Sequence, residues 1–360
     1  MTPDRRAVSD EADYLSRMVA HHQEAVQAGF QVMTSMMEEA VTALCGPRGK
    51  HTPQRTAVRH GSEAGSVVLG GRKVPIRRPR VRTADGGAEV AIPAYELFSS
   101  ADVLEGMALD KMLGKISTRR YWLGLEPVGS TVEAAATGTS KSAISRRFIA
   151  ATEHALADLR SADLSHLDLV ALMIDGVHFG EHTCIVALGI GIDGTKHPLA
   201  LVEGSTENAT LATELIVGLR ERGLNVTAPI LVVLDGSKAL RKAVMDVFDH
   251  PVIGRCQLHK IRNVRDKLLR LDVPPTLART LLSTNPIESM ISICRDHATN
   301  VKRWQGGQMA LRWCAAGMTE AGKQFRRVNG FLHLPKLRQA LQRHVTEANN
   351  ATECYNENAA

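Results

Sequence analysis

Apolar positions fall into two rhythms along this 360-residue chain. Short unbroken runs of branched residues, bounded by Asp, Gly and Pro, predict buried strands; apolar residues three and four apart predict helices. Val170 to Ile174 is such a run, closed by Asp175-Gly176, and Pro229 to Leu234 repeats the design 60 positions on, closed by Asp235-Gly236. Between them lie His182 to Ile190, a turn at Gly191-Ile-Asp-Gly194, the run Pro198 to Val202, and Asn208 to Arg222, where Leu211, Leu215, Ile216 and Leu219 keep helical spacing. Ser237 to Phe248 predicts another helix and Pro251 to Arg255 another strand.

That order gives three adjacent antiparallel strands, then a helical crossover that brings the second Asp strand parallel to the first. This is the order of a ribonuclease-H-like sheet, and it delivers two aspartates to one sheet edge, where open α/β sheets place ligands. Asp-Gly is also ordinary turn chemistry. A carboxylate at the rim of a core is costly unless it is paired, hydrogen-bonded or bound to metal, so the recurrence points to a site.

The N-terminal half reads differently. Residues 9 to 44 predict one or two amphipathic helices, with Met18, Met33, Met36 and Met37 for core or oligomer contacts. Ser66 to Ile76 predicts a hairpin turning at Gly70-Gly71, which continues into Arg77-Arg78-Pro79-Arg80-Val81-Arg82. Around Tyr95 to Arg120 the pattern is helical again, and Ser117 to Tyr121 adds a smaller basic cluster. Val132 to Ala136, a turn at Thr137 to Ser140, and a helix from Lys141 through about Leu159 form helix-turn-helix grammar, offering Lys141, Ser142, Ser145 and Arg146 to DNA while Ile144 and Phe148 pack inward.

Charge sharpens this picture. The formal net charge is +6. Residues 46 to 82 alone carry +9, with ten Lys or Arg against the single Glu63. A basic block can be a solvated loop. On a hairpin, Arg72, Lys73, Arg77, Arg78, Arg80 and Arg82 suit a phosphate backbone or a narrow groove. Hydrophobic content of 44% excludes wholesale disorder, and no apolar run reaches membrane-spanning length. The start Met-Thr-Pro-Asp-Arg-Arg has no apolar signal region after it, and the six scattered cysteines show no paired framework; both predict a cytosolic, reducing setting.

Past Asp235, the strand 251–255 leads into Cys256-Gln-Leu-His259 and then a basic helix with Arg262 and Asn263. Cys and His at this spacing can ligate zinc, yet a structural site needs about four ligands. No second pair stands at suitable spacing, although His178, His182 and Cys184 could contribute, and His259 reads better as a polar residue near the site. A third acid is Glu288 in Ser283-Thr-Asn-Pro-Ile-Glu-Ser289, near a predicted helix start capped by Thr284 or Asn285, with Arg295 two turns further on the same face. Helix capping alone would also explain a glutamate there. Two strand aspartates and a helix glutamate can hold two divalent metals roughly 4 Å apart for in-line phosphodiester displacement, and magnesium, with manganese as a substitute, suits an all-oxygen site.

Taken together, Ile174-Asp175-Gly176, Leu234-Asp235-Gly236, Cys256-x-x-His259 with Arg262-Asn263, and Thr284-Asn285-x-Ile287-Glu288-Ser289 resemble the Mutator-like transposases of bacterial insertion sequences. The resemblance runs from about residue 40 to residue 345. It implies a catalytic, metal-binding triad of Asp175, Asp235 and Glu288 supported by Cys256, His259, Arg262, Asn263 and Arg295. It implies magnesium-dependent DNA strand cleavage and joining, binding to terminal inverted repeats and target DNA, usually within a homo-oligomer, and a cytoplasmic, nucleoid-associated protein with no membrane contact. The expected fold is an α/β catalytic core, a ribonuclease-H-like mixed sheet flanked by helices, preceded by a mainly helical DNA-binding region with a basic β-hairpin arm.

The expected domains are N-terminal helices over 1–45, the basic arm over 46–92, a helix-turn-helix-like region over 93–163, the catalytic domain over 164–330, and a basic C-terminal helix with a disordered tail over 331–360. The chain departs from the family pattern in one place. Asp235 and Glu288 are 53 residues apart, too few for the helical insertion expected between them, and the run near 264–276 looks like two ends joined. An internally deleted, catalytically inactive DNA-binding remnant is therefore the alternative to an active enzyme. A general ribonuclease-H-like nuclease is the third reading, and the helix-turn-helix grammar argues against it.

Overall fold

Two consecutive glycines set the geometry of the first half. Gly70 and Gly71 adopt φ of 54° and 79°, the left-handed values a tight two-residue hairpin turn requires and only glycine adopts freely. Leu69 therefore faces Arg72, and strands β1 (Ala57–Leu69) and β2 (Arg72–Thr83) pair antiparallel from that turn outward. A short β3 (Glu89–Val90) joins the far end of β2.

The computed structural model describes residues 5–50, 55–206, 208–234, 236–255, 274–282 and 285–357, and the chain divides into two units, Met1–Ala151 and Thr152–Ala360. In the first, one continuous helix α1 (Arg5–Cys45) takes the place of the one or two helices expected. Met37, Val41 and Cys45 recur every fourth residue as a buried stripe, and Val41 and Cys45 pack on Ala57, Val81 and Ile92 of the hairpin base. Met36 stays exposed. Helices α2 (Pro93–Ser99), α3 (Ala101–Leu113), α4 (Ser130–Ala135) and α5 (Lys141–Ser161) follow, with a short 3₁₀ turn at Tyr121–Gly124 between α3 and α4. Helix α5 runs across the division between the units.

The second unit is built on five strands, β4 (Leu169–Phe179), β5 (His182–Gly191), β6 (Lys196–Glu203), β7 (Ile230–Leu234) and β8 (Pro251–Arg255). Their spatial order is β6-β5-β4-β7-β8. β4, β5 and β6 are antiparallel neighbours, whereas β7 and β8 lie parallel to β4. The crossover from β6 to β7 is α6 (Ala209–Glu221), capped by Asn208, whose side-chain oxygen accepts from the backbone N–H groups of Thr210 (3.0 Å) and Leu211 (3.2 Å). Helix α7 (Lys238–Val247) connects β7 to β8. Further on lie α8 (Pro275–Leu282), α9 (Asn285–His297), α10 (Gly307–Gln324) and α11 (Leu334–Glu357).

Alternation along the strands assigns the two sheet faces. Leu172, Ile174, Ile185, Ala187, Val232 and Leu234 share one buried cluster with Leu215, Ile216 and Leu219 of α6 and Leu240 and Val244 of α7. Each such fully buried aliphatic side chain contributes about 1.5–3 kcal/mol. Ala171, Met173, Asp175, Val177 and Phe179 belong to the opposite face, where α9 packs on β4 and β5, and α10 on β5 and β6. The result is a mixed five-stranded sheet with helices on both faces. The half-buried Arg222 closes α6 by donating to the carbonyls of Leu159 (2.7 Å), Leu199 (2.8 Å) and Gly218 (3.1 Å).

Two expectations need correction. Asp175-Gly176 does not end its strand, because β5 goes on pairing with β4 as far as Phe179, and the chain turns at Gly180 with φ of 62°. What ends near Asp175 is the pairing with β7, whose last rung is Ile174–Leu234. The C-terminal tail expected to be disordered is helical in α11 through Glu357.

Candidate active site

Asp175 is half-buried, just beyond the last rung between β4 and β7. Its Oδ1 accepts the backbone N–H of Gly176 at 2.8 Å. Across β5, Val177 faces Cys184. Cys184 lies in a buried trio with Cys294 of α9 and Cys314 of α10, and hydrogen bonding to Cys184 and then Cys294 pushes the Cys314 thiol far above its usual range. The trio shows which helices cover the Asp175 face of the sheet. α9 crosses α10 so closely that a Cβ on Gly317 would stand 2.8 Å from the Cα of Cys294.

Glu288 sits half-buried in the first turn of α9. Ile287, Met290, Ile291 and Cys294 are the buried stripe that fixes the helix on the sheet, so Glu288 is carried on the edge of the stripe, on the same side of the sheet as Asp175. A carboxylate in a first helical turn also meets the positive end of the helix dipole. Arg295 is exposed in the last turn. Asp235, Cys256, His259, Arg262 and Asn263 lie outside the described residues; their described neighbours are Leu234, in register with Ile174 and Arg255, and Gly236. The two described carboxylates, Asp175 on the sheet and Glu288 on the helix that packs over it, are oxygen donors of the kind that suits a hard cation and no soft one.

Around this edge several of the described groups are engaged with one another. Trp304 packs at 5.1 Å from the Phe179 ring and 6.3 Å from Trp313, and a Cβ on Gly180 would come within 2.8 Å of its indole. Both tryptophans therefore serve packing here. His182 Nδ1 meets Glu203 Oε1 at 2.9 Å, and His178 Nδ1 meets the Thr183 hydroxyl at 2.9 Å. With Cys184 turned into the thiol trio, these three are not assembled as partners for a zinc ion.

The predicted DNA contacts all belong to the first unit, and the structure sorts them. Arg72 is buried, donating to the carbonyls of Glu126 (2.5 Å) and Gly70 (3.2 Å) and to Glu133 (3.2 Å), so it fastens the hairpin tip to α4 and its approach. The Lys73 backbone exchanges hydrogen bonds with Thr137. Arg77 is exposed and donates only to neutral groups of Ser62. Arg78, Arg80 and Arg82 are shared between Glu63 and Glu89: Arg78 Nε donates to Glu63 at 2.7 Å, Arg80 makes a two-pronged pair with Glu89 at 2.9 and 2.6 Å, and Arg82 approaches Glu89 at 3.7 Å. Three guanidinium groups thus face two carboxylates. Lys141, Ser142 and Arg146 are exposed and Ser145 is half-buried at the start of α5, while Ile144 and Phe148 are buried.

The carboxylate Glu89 is held by its hydrogen bonds to Arg80 at about 2, well below the ordinary 4.5. A carboxyl depressed in the folded state stabilises fully above its unfolded value and loses that contribution as pH falls toward the folded one. The melting temperature of Glu89→Gln is therefore expected to lie below that of wild type at pH 6, with the gap closing between pH 4.5 and pH 2; thermal melts by circular dichroism at stepped pH check this. A gap that stays constant across that window contradicts the pairing. The pairing of Glu63 and Glu89 with these arginines escaped the sequence reading. The first was within reach, because a two-residue turn at Gly70-Gly71 puts Glu63 opposite Arg78.

A family model described as "Transposase, Mutator family" matches residues 20–273, most of the chain. The chain belongs to the Mutator family of transposases. Among curated proteins it is 37% identical over 122 residues to the transposase for insertion sequence element IS6120 of Mycolicibacterium smegmatis, covering 32% of this chain and 37% of that one. It is 23% identical over 242 residues to the transposase for insertion sequence element ISRM5 of Rhizobium meliloti (strain 1021), covering 67% and 58%. Over 82 residues it is 34% identical to the transposase for IS256 in transposon Tn4001 of Staphylococcus aureus, covering 23% and 20%. The chain thus spans less than two thirds of the length of these relatives. The Mutator family match stops at residue 273, whereas Glu288 lies beyond it. No helix among the described residues is long and apolar enough to cross a membrane.

Proposed function

We propose that this Mutator-family chain is the transposase of an insertion sequence, binding the terminal inverted repeats and catalysing metal-dependent DNA strand cleavage and transfer. The observation that carries the reading is that α9, whose first turn holds Glu288, packs on the strand β4 that holds Asp175, beside the β7 strand that leads to Asp235. The strand order β6-β5-β4-β7-β8, with the first three antiparallel and the last two parallel, supports a ribonuclease-H-like core. Asp175, Asp235 and Glu288 are the catalytic acids in this reading. They would hold magnesium, with manganese as a substitute, and the bound metal would activate water or a 3′-hydroxyl and stabilise the leaving oxygen. The protein's own part is to fix carboxylates on rigid elements and to bring the phosphodiester to them. His259, Cys256, Arg262, Asn263 and Arg295 are the supporting groups.

DNA contact in this reading falls to the first unit, through Lys73, Arg77 and the exposed start of α5, with Arg78, Arg80 and Arg82 held ready by Glu63 and Glu89. A homo-oligomer on DNA and a place in the cytoplasm with the nucleoid belong to the same proposal.

A second reading, a catalytically inactive remnant that binds the ends and represses transposition, is favoured by one observation: the family match breaks off before Glu288, where the expected insertion is missing. The docking of α9 on the Asp175 face favours the enzyme. An excision assay separates the two. In cells carrying a reporter interrupted by a minimal element with the parent ends, expression of the chain is expected to restore the reporter, and Glu288→Gln to abolish restoration. No excision by wild type, together with occupancy of the ends in a footprint, establishes the remnant.

A further inference from the structure

The short turn between α3 and α4 shows an arrangement that neither the fold nor the acidic site uses. Tyr121 is wholly buried, yet its neighbours Trp122 and Leu123 are 66% and 58% exposed. An indole left in water forfeits one of the largest apolar burials available to any side chain. The exposure is not slack in the chain. Arg120 N–H donates to Ser117 O at 2.9 Å, Leu123 N–H to Arg120 O at 3.0 Å and Leu125 N–H to Trp122 O at 3.2 Å. The Lys111 ammonium holds the carbonyl of Gly124, and a Cβ on Gly124 would meet Ile116 at 2.7 Å.

Beneath the turn, Tyr121 interacts with Arg147 of α5, and burial lowers the basicity of that guanidinium. The indole is therefore presented from a hydrogen-bonded turn whose buried Tyr121 lies near Arg147 of α5, the helix whose exposed start carries Lys141, Ser142 and Arg146.

Charge selects the partner. Arg119 and Arg120 flank the indole, both are exposed, and neither makes a salt bridge among the described residues. This differs from Arg78, Arg80 and Arg82, whose charge is largely met by Glu63 and Glu89. From Lys115 to Leu125 the sequence contains no acid. An exposed aromatic face beside two unspent guanidiniums matches a nucleobase with its flanking phosphates: the ring stacks and the cations neutralise.

We propose that Trp122 is a base-stacking wedge that engages an opened base step or unpaired base of DNA, with Arg119 and Arg120 on the neighbouring phosphates. This rests on the DNA-binding reading given above and adds where, and on what DNA structure, the first unit grips.

The test uses the full chain and two labelled 40-base-pair duplexes of one sequence, one fully paired and one with a two-base mismatch bubble. Wild type is expected to bind the bubble more tightly and to lose tryptophan emission on binding; Trp313 is buried and Trp304 half-buried, so Trp122→Phe assigns the change. Trp122→Ala should weaken binding to the bubble about tenfold, the range for one stacked base, with an unchanged circular dichroism melt. Trp122→Phe should keep most of the affinity but lose the emission change. Arg119→Ala with Arg120→Ala should weaken both duplexes and flatten the dependence on salt. Unchanged bubble binding by Trp122→Ala overturns the proposal, and so does a Trp122→Ala chain that changes its sedimentation while its DNA affinity stays the same, which would make the patch a contact between protein copies. If wild type binds neither duplex, the DNA-binding reading itself has failed.

Discussion

Asp175→Asn is expected to abolish DNA strand cleavage, lowering the rate by at least about a thousandfold, because an amide in place of a carboxylate removes a negative ligand from a two-metal site. The fold should survive. Asp175 is half-buried at the point where β7 stops pairing, its Oδ1 accepts the N–H of the next residue, and the carbonyl of asparagine can accept the same bond. Single-turnover cleavage of a labelled element end, run beside a thermal melt, reads both quantities. Loss of activity with an unchanged melt is the expected pair of results. Retained cleavage removes Asp175 from the chemistry, and a collapsed melt with lost cleavage makes its role structural.

The second large effect is expected far from any acid, at Gly317→Val. A Cβ at this position would stand 2.8 Å from the Cα of Cys294 and about as close to its side chain. Backbone cannot step aside as a side-chain tip can, so α9 must be pushed off α10. Overpacking of this kind costs about 1–3 kcal/mol. For a unit of this size that is a fall of about 2–4 °C in melting temperature per kcal/mol. Because α9 carries Glu288, the variant should also lose cleavage out of proportion to its stability at the assay temperature. Gly322→Ala is the control on the same helix: its Cβ would meet Pro198 at an ordinary 3.4 Å, and the gain in helix propensity should leave the melt level or slightly raised. Equal melts for the two variants would show that the α9–α10 crossing is looser than described.

How much of this was legible in the residues depends on how local the cause is. The runs ending at Ile174 and Leu234 gave the two central strands, because a fully buried strand tolerates nothing but apolar residues. The intervening hairpin and crossover helix then left few ways to order the sheet. Gly70-Gly71 similarly gave the hairpin and its register. Long-range pairing was not legible. The extent of β4 past Asp175 is decided by β5, and the spending of Arg80 and Arg82 on Glu89 depends on a third strand that joins β2 only in the folded unit. Arg72 looked like its basic neighbours and turned out to be buried, since two of its partners, the Glu126 carbonyl and the Glu133 carboxylate, lie 54 and 61 residues on. Of the candidate site, Asp175 is marked in the sequence by the apolar run it follows, while the helix that packs on its strand is identified only by the fold. Trp122 gave no signal at all, since nothing in an Arg-Arg-Tyr-Trp-Leu string says which ring is buried and which is presented.

The central claim is that this sheet edge cuts DNA with metal held by its carboxylates, and the most direct measurement is cleavage of a 5′-labelled duplex carrying one parent element end by the purified chain. With magnesium, a cut at the junction between element and flank that leaves a free 3′-hydroxyl is expected, absent in EDTA and absent for Glu288→Gln. A chain that binds the same duplex in magnesium and manganese yet leaves it intact contradicts the account.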